Sequence, residues 1–175
     1  MRVAYPDDFY GFLDVPFHQH LGVRFTRPDP YEPAIVGLPP RPDLLGRDGE
    51  QSPAAVYTVA EIAAAMAACD ALVPHVPDIM ATMKPAMLTV GASFEALRPA
   101  YGELTADARV RGDGTRAVER LRIAKKVKMD IDIEVSGHDG EPVGRGTVHF
   151  YVRLMDERRL RAIAHTGAEA GAAAR

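Results

Sequence analysis

One carboxylate, Glu61, stands in the middle of SPAAVYTVAEIAAAMAA (residues 52–68), a run otherwise made of small, apolar and hydroxyl-bearing residues. Burying an unpaired carboxylate costs several kcal/mol, so this acid must be hydrated, paired or used. Its neighbours at helical spacing, Tyr57, Thr58, Ala64 and Ala65, form no charged stripe, which favours use over a solvated face. Ser52 is the nearby hydroxyl. Followed by Pro53, it reads as the N-cap of a helix with proline at the first helical position, and only second as a catalytic hydroxyl. No histidine has a partner in sequence that would complete a Ser-His-Asp arrangement.

Other reactive side chains carry weaker signals. His18 and His20 form a His-x-His pair that would put two ligands on one face of a strand, but no Cys, His or acid cluster accompanies them at metal spacing, and no metal is assigned. Cys69 lacks a flanking base and reads as a small buried residue. Met80, Met83 and Met87 are candidates to line a pliable acyl pocket, with core filling as the alternative. From Arg116 to Lys128 there are six basic residues against one acid. Arg120, Arg122, Lys125 and Lys126 in this run are either a solvated face or a site for phosphates. RGDGTR has neither the Walker nor the dinucleotide spacing.

These residues belong to a chain of 175 residues, 47% hydrophobic, with a formal net charge of -3. That length supports one core, read here as a single domain over 1–155 with a low-complexity tail, 156–175, expected to be partly disordered. The charge offers no global attraction to nucleic acid or an anionic membrane. A single cysteine excludes an internal disulfide. With no basic-then-apolar leader and no apolar run near the roughly 18 residues of a membrane span, the expectation is a soluble cytoplasmic protein.

The elements follow from spacing. DDFYGFLDVPF places Phe9, Phe12, Leu13 and Phe17 as a short amphipathic helix stopped near Pro16. HLGVRFTR alternates Leu21, Val23 and Phe25 as a strand, and PAIVGL is a second. A Pro- and Gly-rich loop then leads to the Ala-rich helix, expected to run from Pro53 to about Asp70. Three more stretches alternate: Leu88, Val90, Ala92, Phe94, Ala96; Leu104, Ala106, Ala108, Val110; and Val127, Met129, Ile131, Ile133, Val135. A turn at Asp139-Gly140 leads to a last strand, VGRGTVHFYVRL. The segment GDGTRAVERLRIAKK is longer than a hairpin needs and reads as a short helix or a strand extension. Consecutive strands with one apolar face predict an antiparallel sheet wrapped around the one long helix, an α+β architecture.

This order resembles the hotdog-fold acyl-CoA thioesterases, particularly the phenylacetate-degradation type, over about residues 17–154. The residues that carry the likeness are Leu21-Gly22, Val59-Ala60-Glu61 and LRPAYGELTADARV at 97–110. In that family a His-Gly-Gly motif precedes the helix, with an acid nine residues after the His; Ser52-Pro53-Ala54 occupies its place here. The resemblance implies a homodimer or a tetramer built from such dimers, with Glu61 as general base or nucleophile facing the thioester carbonyl across the dimer interface. A helix-start amide would hold the oxyanion; Pro53 has none, so the role passes to Ala54. The basic run would meet coenzyme A, the thioester is the substrate, and no further cofactor is implied. The alternative reading is a protein that binds acyl-CoA without turnover.

Overall fold

The computed structural model describes residues 16–26, 35–72, 75 and 83–156. The expectations for Phe9, Phe12, Leu13, Met80 and the tail beyond 156 lie outside them. In chain order the elements are α1 (Pro16–Leu21), β1 (Arg24–Thr26), β2 (Ile35–Leu38), α2 (Pro53–Leu72), β3 (Met83–Ala96), β4 (Leu104–Val110), α3 (Gly114–Ala124), β5 (Lys126–Ser136) and β6 (Pro142–Asp156).

The six strands make one antiparallel sheet in the order β1-β2-β4-β5-β6-β3. β5 shows why it wraps a helix: Val127, Met129, Ile131, Ile133 and Val135 are buried, while Lys126, Lys128, Asp130 and Glu134 face out. One face of every second residue must leave water, and α2 is what covers it. Alanines keep that helix slim, so backbone and sheet approach closely. Ala60, Ala64 and Ala68 are fully buried beside Val59, Ile62 and Met66. A larger side chain at Ala64 would overpack this seam at a cost of about 1–3 kcal/mol.

α2 starts where Ser52-Pro53 said it would and runs two residues past Asp70. By length and composition it is long and apolar enough to cross a membrane, against the expectation that no such run exists; about two thirds of that stretch is buried inside this fold.

Four expectations are corrected. The helix described from Pro16 continues to Leu21 instead of stopping near Pro16. Leu21 is therefore the buried end of α1, and the strand that follows is only three residues, all exposed. His18 and His20 consequently lie on a helix, where residues two apart do not face each other. Finally, Leu88 and Val90 are not on the buried face: they are 62% and 51% exposed. The register explains it. Thr89 pairs with Phe150 but Gly91 pairs with His149, so Val90 is one residue too many. This β-bulge switches which residues face inward, from Met87 and Thr89 before it to Phe94 after it, while Ala92 on the same side stays exposed at the sheet edge.

Candidate active site

The bulge brings a hydroxyl to Glu61. Thr89 Oγ1 donates to Glu61 Oε1 at 2.7 Å, across the seam between the middle of α2 and the edge strand β3. Glu61 is half-buried. A hydrogen bond to one carboxylate oxygen compensates part of its desolvation and fixes its orientation, while the second oxygen stays available. The same seam is apolar on both sides. At one end Tyr57, a turn before Glu61, meets Phe94 edge to face, with ring centroids 5.9 Å apart and planes at 79°. At the other end Cys69 Sγ lies 3.3 Å from Met87 Sδ. Burial raises the Tyr57 phenol above its ordinary range, and the Glu61 charge adds to the rise, so Tyr57 stays a hydrogen-bond donor.

Phe94 can lie there because β6 carries no side chain beneath it. A Cβ on Gly144 would come within 2.4 Å of the Phe94 ring, and one on Gly146 within 2.1 Å of the Ser93 carbonyl oxygen.

The start of α2 forms a second cluster. Ser52 is an N-cap: its Oγ accepts from Ala55 N–H at 3.2 Å and its carbonyl from Val56 N–H at 3.1 Å. Pro53 has no N–H. Among the first-turn amides this leaves Ala54, which is exposed, as the one free to meet a ligand. Gln51, only 2% exposed, anchors the start: its backbone N–H donates to Ala100 O at 2.7 Å and its Nε2 to Gly102 O at 2.9 Å. The Arg98–Gly102 turn thus fixes where α2 begins.

Within one chain the two clusters do not meet. Ala54 and Glu61 are seven residues apart on one helix, about 10 Å along its axis. The basic residues lie farther off, by the other end of α2. There α3 is capped by Asp113, whose side chain accepts from Thr115 N–H, and closes at Lys125, with φ 58°. Val118 and Leu121 are its buried face; Arg120, Arg122, Lys125 and Lys126 are exposed. Arg122 donates to the carbonyl of His75, in the chain beyond α2. Met83 and Met87 are both half-buried against the core. A groove of about 670 Å³ lies on the outer face of the sheet, lined by Arg109, Asp132, Glu134, Arg145 and Thr147 among others. Its charges pair with each other, Arg111 with Asp132 and Arg145 with Glu95, and it does not include Glu61.

No family profile and no curated protein matches this chain. Solved structures do. A mutant of the thioesterase PA1618 from Pseudomonas aeruginosa superposes with a TM-score of 0.62 at 18% identity, over 86% of this chain and 96% of that one. The PaaI protein of the E. coli phenylacetic acid degradation operon gives 0.59 at 17%, over 83% and 89%. BH2602 from Bacillus halodurans, solved with CoA, gives 0.50 at 19%, over 67% and 69%.

This is the hotdog fold. As the resemblance at 97–110 implied, the hotdog sheet wraps α2 as its central helix, with Glu61 on the side of β3. Thr89 and Gln51 went unread in the sequence, and Tyr57 and Phe94 were read only as a helical neighbour of Glu61 and a strand residue, not as parts of a site. Gly91 was the available signal, because an isolated glycine inside a strand pattern marks a bulge.

Proposed function

We propose that this protein hydrolyses an acyl-CoA thioester as a homodimer, with Glu61 activating the attacking water. The observation that carries the reading is the carboxylate itself: half-buried in an alanine-rich helix, one oxygen held by Thr89, the other left to accept a proton. Water adds to the carbonyl carbon as Glu61 takes its proton. The tetrahedral intermediate collapses, the C–S bond breaks, and the thiolate leaves with the proton returned from Glu61. A single chain holds the carboxylate and the Ala54 amide about 10 Å apart, too far to act on one carbonyl. Two copies joined along the β3 edges would bring the acid of one near the helix start of the other. Arg120, Arg122, Lys125 and Lys126 would meet the coenzyme A phosphates, and Met83 and Met87 the acyl chain. A hotdog protein solved with CoA supports this substrate class.

Pro53 favours a second reading, binding without turnover, because it removes a helix-start donor worth about 3 kcal/mol of transition-state stabilisation where such donors act. Free-thiol release from a series of acyl-CoAs, alongside calorimetric binding of the same series, tests both. Release above background supports the hydrolase; tight binding without release supports the binder; neither overturns both.

A further inference from the structure

We infer that Tyr57 is the catalytic residue that donates a hydrogen bond to the thioester carbonyl oxygen, supplying from a side chain what Pro53 withholds from the backbone. This rests on the reading of Glu61 as the group that activates water.

The placement carries the argument. Tyr57 and Glu61 are four residues apart on α2, so they share a face one turn apart, with Cβ atoms about 5–6 Å from each other. Ala54 of the same chain is nearly two turns from Glu61. A base and an oxyanion donor must address one carbonyl from opposite ends, the base through a water and the donor directly, and one helical turn suits that span. The Tyr57 ring is not free to swing, because Phe94 holds it edge to face at 5.9 Å and the bare Gly144 backbone fixes Phe94. Its hydroxyl has no hydrogen-bond partner among the described residues, although the side chain is half-buried. A phenol that is anchored by its ring and unsatisfied at its tip, beside a carboxylate likewise anchored at one oxygen, is arranged to receive a polar ligand between the two. In the reaction the proton stays on Tyr57: the carbonyl π electrons move to oxygen as water adds, the phenol hydrogen bond shortens on the developing negative charge, and both relax when the C–S bond breaks.

Tyr57→Phe keeps the ring and its contact with Phe94 and removes only the hydroxyl. The expected result is a fall in kcat of about 100-fold, the usual effect of losing one oxyanion donor, with KM nearly unchanged and no loss of thermal stability. Adding Pro53→Gly to Tyr57→Phe should recover part of the loss, because the restored amide supplies a donor. Unchanged kcat in Tyr57→Phe would overturn the assignment while leaving the hydrolase reading intact. A readout independent of turnover uses Glu61→Gln protein bound to a 13C-carbonyl acyl-CoA chosen from those that bind the parent. The carbonyl resonance should move downfield on binding, and Tyr57→Phe should abolish the move; a bound carbonyl insensitive to Tyr57→Phe overturns the inference alone. If no acyl-CoA binds the parent, the underlying reading fails first.

Discussion

The sulfur of Cys69 lies against the sulfur of Met87, 3.3 Å away, with the thiol donating to the thioether where α2 meets β3. Burial pushes the Cys69 thiol up to about 12, with a smaller contribution from the Asp70 charge. In the unfolded chain the same thiol ionises near 9.0, so it contributes stability that is complete below that pH and disappears as pH rises towards 12. Cys69→Ala should therefore lose less stability than the parent between pH 9 and 12 in denaturant titrations. Tyr57, also raised, is present in both proteins and cancels in the comparison. Identical alkaline slopes would contradict this account of Cys69.

Glu61→Gln keeps an acceptor for the Thr89 hydroxyl but removes the base. Thioester hydrolysis should drop by at least about 100-fold. The melting temperature should hold or rise, because a half-buried carboxylate is a cost to folding that the amide relieves. Thiol release together with calorimetry separates the effects; full activity in the Gln protein would remove Glu61 from the mechanism.

For the basic cluster the informative pair is Arg120→Ala with Lys126→Ala. Arg122 is engaged with the His75 carbonyl, and Lys125 closes α3 in the left-handed region, so changing either also disturbs local structure. If these cations meet the phosphates, the double variant should bind coenzyme A several-fold more weakly at low salt, consistent with about 0.2–1 kcal/mol per exposed charge. The deficit should shrink as salt rises. Equal binding at low salt would make this run a solvated face.

Self-association should be visible in sedimentation at micromolar concentration as a dimer or larger. Val90→Lys, at the exposed bulge of the edge strand, should shift it towards monomer. A monomeric parent would refute the two-copy site.

How much of this was legible follows from the local physics. Ser52-Pro53 announced α2 because a hydroxyl cap and a ring-locked φ act within a few residues. β5 was readable for the same reason: its five inward residues alternate without interruption. β3 was read one step out of phase at its start, since Leu88 and Val90 continue the pattern of Ala92 and Phe94 and only pairing with β6 reveals the extra residue. That phase error hid Thr89. α3 was left open between helix and strand extension; what decides it is the Asp113 cap and the packing of Val118 and Leu121, and packing is a tertiary fact. The distance from Glu61 to the basic residues was beyond the reach of sequence spacing altogether.

β3 ends the sheet, and only one side of its backbone is paired. Fourteen residues of strand amount to roughly 45 Å of edge. Lys84 and Glu95 are the only charges in it, and Pro85 its only proline, which leaves AMLTVGASF at the centre without a guard. A newly made chain therefore carries the kind of segment that seeds fibrils until something covers it. Its safety then depends on supply: if two copies pair along this edge, as proposed, copies made close together and in quantity would cover one another soon after folding, whereas a scarce or slowly folding chain would leave the strand available to chaperones, proteases and aggregates.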